Sequence, residues 1–176
     1  EVYTYNPKTK TWKLFADGLH EPLGIIAEDN HTLVVMQRPE LTRLRDTDGD
    51  GEADHYQTIS DDFGMTGNYH EFSFGPARDK DGNYYVGLNL ASSGASIRPE
   101  IRGEFRHYGI TREQFYKNHR AGSGRMYSAT PYRGWIMKIT PDGKTIPFAP
   151  GFRSPNGVNF DSQARLWVTD NQGDWL

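Results

Sequence analysis

Phe15-Ala16-Asp17-Gly18-Leu19-His20-Glu21-Pro22-Leu23-Gly24-Ile25 returns later in the chain as Phe148-Ala149-Pro150-Gly151-Phe152-Arg153-Ser154-Pro155-Asn156-Gly157-Val158. Phe, Ala, Gly, Pro and Gly match in register, and Leu/Phe and Ile/Val are apolar at both, at an offset of 133 residues. A second element occurs three times: an apolar strand, a polar turn, then a strand rich in β-branched and aromatic residues. Its copies run from Gly24-Ile25-Ile26 to Leu33-Val34-Val35-Met36, from Phe72-Ser73-Phe74 to Tyr84-Tyr85-Val86, and from Gly157-Val158-Asn159-Phe160 to Leu166-Trp167-Val168. The turns carry Asp, Asn and Gly, which bend a chain cheaply. Between copies lies another hairpin, clearest from Trp135 to Phe148 around Thr140-Pro141-Asp142-Gly143. Glu1 to Phe15 and Leu41 to Ile59 share its form.

Each unit is four strands over roughly 45 residues, the period of a β-propeller blade. The expected fold is all-β, a propeller of four-stranded antiparallel blades. A sandwich or barrel does not need this repeat. Residues 1–176 hold about three blades, the last stopping after its second strand. An open array of that size leaves an unpaired edge, so the chain reads as part of a longer, six-bladed or larger propeller. Two blades take roughly 90 residues, so the offset carries an insertion of about 40. It spans residues 90–132, where strand character disappears and Thr111 is placed to N-cap a short helix.

Charge excludes some functions. The chain has 20 Lys+Arg against 23 Asp+Glu, a net charge of −3, and no Cys. That balance argues against a dedicated nucleic-acid binder. The apolar runs are too short for a helical membrane span. Thiolate metal sites, Cys nucleophiles and disulfides are absent from this stretch. The insertion alone carries +4, from residues such as Arg98, Arg102, Arg106 and Arg125, and the rest sums to −7. A basic lid or a docking surface for an anionic redox or partner protein is one reading; a solvated decoration is the other.

Propeller topology sorts the polar residues. Inter-blade links and the ends of second strands share one face, the top, around the central channel. His20, Glu21, Tyr69, His70, Glu71, Arg153, Ser154 and Asn156 fall on the links. Gln37, Arg38, Asn89, Asp170, Asn171, Gln172 and Asp174 fall at the strand ends. On the opposite face stands Asp46-Thr47-Asp48-Gly49-Asp50-Gly51-Glu52-Ala53-Asp54. Its alternating carboxylates match the first part of a calcium loop, but position 12 is Gln57 and not the closing Glu. Asp46, Asp48, Asp50, Glu52 and Asp54 are the candidate ligands of a structural calcium; a bare solvated turn is the alternative.

Tyr69-His70-Glu71-Phe72-Ser73-Phe74-Gly75-Pro76, followed by Asp81-Gly82-Asn83-Tyr84-Tyr85-Val86, resembles the segment around the catalytic histidine of soluble quinoprotein sugar dehydrogenases. These are the glucose/sorbosone dehydrogenase-like six-bladed propellers. Gly151 to Val158 resembles that family's segment with an Arg-Asn pair beside the quinone, with Ser154 where the family has Asn. Asp170 to Trp175 stands where the family holds calcium. The likeness is greatest to sorbosone-dehydrogenase-like propellers of exported bacterial proteins, which implies a periplasmic or extracellular location.

The resemblance implies pyrroloquinoline quinone with calcium on the top face. His70 would accept a sugar hydroxyl proton, a task suited to a histidine near neutral pH. Arg153 would stabilise the reduced quinone, Asn156 and Asn89 would help hold it, and His20, Arg38 and Asp170 would meet a small carbohydrate substrate. Plainer roles exist: a hydrogen-bonded His70, a salt bridge from Arg153 to Glu21 or Glu71, and a turn-capping Asp170. Two other classes compete. One is a non-catalytic propeller that docks a protein or glycan. The other is a calcium-dependent lactonase-like hydrolase using Glu21, Asn89, Asn156 and Asp170.

Overall fold

The structure is a computed structural model that describes residues 1–92, 101–106, 111, 113–114 and 126–171. Two four-stranded antiparallel sheets are complete. In the first, β3 (Gly24–Ala27), β4 (Thr32–Met36), β5 (Leu41–Arg45) and β6 (His55–Ser60) pair in chain order. In the second, β8 (Ser73–Arg78), β9 (Tyr84–Leu88), β13 (Trp135–Ile139) and β14 (Thr145–Pro150) do the same. Two-stranded pieces flank them: β1 (Val2–Asn6) with β2 (Thr11–Ala16), and β15 (Pro155–Phe160) with β16 (Leu166–Asp170).

This is a β-propeller. Each sheet is an up-and-down meander, and its first strand is the inner one. β8 lies against β3 on one side and β15 on the other, so the inner strands of successive blades meet around one axis. β1 and β2 stand as an outer pair, with Val2, Phe15 and Ala16 packed on Val35 and Leu44 of the first full blade.

The core lies between blades. Strand β9 is buried along its whole length because blades cover both its faces. Val34, Met36, Leu41, Tyr84, Val86, Leu88, Met137 and Ile139 fill the first interface. Ala77, Tyr85 and Ile136, with Val158, Phe160 and Val168, fill the next. Polar ties cross the first interface at the bottom. Glu28, just after β3, accepts from Arg43 Nε at 2.7 Å and from the Tyr84 hydroxyl of the next blade, and Arg78 lies 3.4 Å away.

The insertion leaves after β9 and returns before β13, within one blade. It also carries two-residue strands. β10 (Ala91–Ser92) pairs with β12 (Met126–Tyr127), and β11 (Ile101–Arg102) pairs with β7 (Met65–Thr66) of the preceding inter-blade link. The expected cap is present: Gln114 N donates to Thr111 Oγ1 at 3.2 Å while Thr111 N donates to Gln114 Oε1 at 2.8 Å. This reciprocal pair satisfies two backbone donors that a helix start leaves unbonded. Residues 113–114 are helical, and 115–117 lie outside the described residues. Arg102 pairs with Asp61 at 2.6 Å and Arg106 with Glu104 at 3.0 Å. Arg98, Arg112, Lys117, Arg120 and Arg125 lie outside the described residues. Among the described residues, no helix is long and apolar enough to cross a membrane.

Candidate functional site

Four residues singled out from the sequence line one cavity of about 320 Å³ on the top face: His70, Asn89, Arg153 and Asn156. They come from the β7–β8 link, the end of β9, the β14–β15 link and the start of β15. The chain packs these places together because inner strands converge at the axis. Phe72, Phe74, Leu90, Met126, Ser154 and Asn171 complete the lining.

Backbone bonds stitch the rim. Asn89 N donates to Phe72 O at 3.0 Å, Leu90 N to Arg153 O at 2.9 Å, and Asn171 N to Ser154 O at 3.1 Å. Asp170 does not line the cavity. Its two oxygens accept the backbone N–H groups of Arg153 at 3.1 Å and Ser154 at 2.6 Å. That makes it the capping residue of the link that presents Arg153. The Arg153 guanidinium donates to Asn171 O at 3.2 Å.

The donor set suits an oxygen-rich ligand. His70 is exposed, and its imidazole makes no hydrogen bond to a described residue; its ring lies 4.9 Å from that of Tyr69. Asn89 is 4% exposed, donates to Ser154 Oγ at 2.8 Å, and leaves Oδ1 without a partner among the described residues. A buried acceptor in that state favours a ligand hydroxyl or N–H. Asn156 accepts from Thr169 Oγ1 at 3.0 Å. Phe72 and Phe74 supply an apolar wall for a ring or carbon chain. Among the described residues, Arg153 is the formal cation of the lining and none of the lining side chains is a carboxylate.

The other expected substrate contacts lie elsewhere. His20 N donates to Gln37 Oε1 at 2.5 Å and its carbonyl accepts from Arg38 N, in the first link. Arg38 is 6% exposed. Its guanidinium donates to Glu21 at 3.0 Å, to Thr66 O at 3.1 Å and to Asn68 O. Arg38, not Arg153, therefore takes Glu21. Glu71 faces Arg133 Nε at 3.4 Å, both side chains fully buried. Arg133 also donates to Gly64 O and Phe72 O. Burial pushes the Arg133 guanidinium down and Glu71 works against it. The carboxylates expected of a lactonase, Glu21 and Asp170, are thus engaged outside the cavity.

On the bottom face, Asp46, Asp48 and Asp50 each offer a carboxylate oxygen within 4.8 Å of the others. Such a set suits a hard cation such as calcium. Asp54 instead accepts from Thr47 N at 3.0 Å and Thr47 Oγ1 at 2.7 Å. Glu52 lies 3.5 Å from Lys13, whose ammonium also donates to Asp50 O. Asp46 is nearly buried. Burial works to raise its carboxyl, but His31 and the N–H groups of Gly49 and Gly51 outweigh that and hold it below the usual range. Asp46→Ala removes all three bonds, so a lower Tm is expected with or without calcium. An unchanged Tm would show that the turn does not hold the blade.

Sequence reading missed the aromatic wall and the buried Arg133–Glu71 pair. Phe72 and Phe74 were visible as strand residues only, and an Arg beside an insertion carries no mark of burial. Gln172 and Asp174 lie outside the described residues.

A family model described as Domain of unknown function (DUF7133) matches residues 8–174. No curated protein matches the chain. Among solved structures, one provisionally named a gluconolactonase is similar at 19% identity with a TM-score of 0.44. The match covers 81% of this chain, which spans 39% of that one.

Proposed function

We propose, taking as premise that the chain belongs to the DUF7133 family, that the top-face cavity binds a small polyhydroxylated ligand of the sugar class and that His70 accepts a proton from one of its hydroxyls. The observation behind this reading is the convergence of His70, Arg153, Asn89 and Asn156 on one cavity with an aromatic wall. Its volume is at the small end of small-molecule sites.

The fuller reading is oxidation of a sugar, polyol or aldehyde with a quinone acceptor. Pyrroloquinoline quinone is an anion rich in carbonyl and carboxylate oxygens, and a guanidinium with several amides suits that chemistry. Arg153, Asn89 and Asn156 would hold it; when bound, it supplies the acceptor for the hydride that leaves the substrate carbon. His70 takes the hydroxyl proton at a ring nitrogen, so the alcohol loses one hydride and one proton as its carbonyl forms. Arg153 offsets negative charge at the oxygen-rich end of the site. The Phe72 and Phe74 side chains exclude water from the carbon face.

Absorbance titration of the purified protein with pyrroloquinoline quinone and calcium tests this. Saturable binding is expected, weakened roughly tenfold or more in Arg153→Ala, with loss of a charge-assisted bond. Sugar-dependent quinone reduction is expected to vanish in His70→Ala while binding persists. No quinone binding by the folded protein would defeat the oxidation reading. Binding of a sugar or glycan without turnover would leave a recognition module. The hydrolase reading is less favoured, because among the described residues the cavity lining offers no carboxylate to a metal.

Calcium at Asp46, Asp48 and Asp50 belongs to the same proposal as a structural ion away from the cavity. Its test is the Tm in calcium against chelator. Lys13→Met is expected to enlarge the difference, since the Lys13 ammonium already neutralises part of the turn.

A further inference from the structure

The link that carries His70 is held by a residue with no role in the reading above. Asn68 is completely buried. Its Oδ1 accepts from His70 N at 3.0 Å and from Ser92 N at 3.2 Å. Its Nδ2 donates to Ser92 O at 2.8 Å and to the Tyr127 hydroxyl at 3.0 Å. The side-chain amide therefore pairs with Ser92 as a neighbouring strand would, N–H to O and O to N–H. The main chain is held as well: Asn68 N donates to Thr66 Oγ1 at 3.2 Å, and Asn68 O accepts from Glu71 N at 3.2 Å and from Arg38.

Ser92 and Tyr127 belong to β10 and β12, the paired root of the insertion. Met126 of that root and Leu90 just before it line the cavity. One amide thus joins the His70 backbone to another part of the cavity lining. The chemistry is specific to Asn. Asp keeps the acceptor and loses both donors. Ala removes all four of the side chain's bonds, to His70, Ser92 and Tyr127, a costly loss.

We infer that Asn68 is a positioning residue for His70, setting it against the cavity wall formed by the root of the insertion. This rests on the reading of His70 as proton acceptor, but its test does not. In the full chain, histidine-ring NMR correlations and backbone amide exchange are compared among wild type, Asn68→Ala and Asn68→Asp, with the His70 peak identified from His70→Ala. In Asn68→Ala the His70 and Ser92 amides are expected to exchange about tenfold faster, the loss of one hydrogen bond each. The His70 ring peak is expected to move while those of His20, His31 and His55 stay. Asn68→Asp, which keeps the acceptor for His70 N, is expected to displace the peak less, and it decides the matter if Asn68→Ala does not fold.

Where wild type reduces the quinone, kcat for Asn68→Ala is expected to fall roughly ten- to a hundredfold, as misplacement of a proton acceptor does, with the quinone Kd unchanged. Wild type that binds no quinone would defeat the oxidation reading and leave the spectral result standing. A His70 peak unmoved in a folded Asn68 variant, or the His20, His31 and His55 peaks moving with it, would overturn the positioning role.

Discussion

Gly24→Ala is expected to destabilise the protein by about 3 kcal/mol or more, the upper range for overpacking a core. Gly24 opens β3, and a Cβ built there lies 1.6 Å from the carbonyl oxygen of Gly75 in β8. No side chain can step aside, because the obstructing atom is backbone. The two inner strands must separate, and the apolar interface behind them opens with them. Gly18→Ala is the matched control. Its φ is +68°, with nothing within 4 Å of the new methyl, so it reads conformational strain alone, about 1 kcal/mol. Urea denaturation of both variants separates steric clash from strain. A Gly24→Ala midpoint equal to that of Gly18→Ala would mean that the inner strands do not meet as closely as the structure places them.

Glu28→Gln is expected to cost about 3 kcal/mol at neutral pH, the lower end of the range for removing one partner from a buried ion pair. The Glu28 side chain is 13% exposed and ties two blades, through Arg43 on its own and Tyr84 and Arg78 on the next. The substitution keeps the shape and leaves the Arg43 guanidinium without its carboxylate. Burial works to raise the Glu28 carboxyl, but the bonds from Arg43 and Tyr84 and the charges of Arg43 and Arg78 prevail, and it titrates below its ordinary value. A depressed folded pKa places the stabilisation above the unfolded pKa and removes it as pH falls through the folded one. The gap between wild type and Glu28→Gln is therefore expected to be full near pH 7 and to narrow below about pH 4, the ordinary glutamate range. Unfolding free energies measured across that interval decide it. A gap that stays constant into acid would show that Glu28 does not act as a carboxylate here.

The propeller was legible in the chain because its signals are local. Alternating apolar residues, Asp/Gly turns and the return of Phe15–Ile25 at Phe148–Val158 are properties of short segments, and a hairpin follows from them whatever surrounds it. Blade topology then carried His70, Asn89, Arg153 and Asn156 to one face, since the ends of strands are fixed once their order is known. Side-chain direction was not legible. Arg38 and Arg153 both sit at strand ends of the top face, yet Arg38 turns inward to Glu21 and the carbonyls of Thr66 and Asn68, while Arg153 lines the cavity. Packing between blades chose between them. The same holds for Asn68, in the link before β8, and Arg133, beside the insertion: their burial depends on strands far away in sequence. Strand patterning and turn chemistry determined the blades; the close approach of the inner strands, which Gly24 allows by leaving room for the Gly75 carbonyl, decided which polar groups face the cavity and which are consumed in holding it.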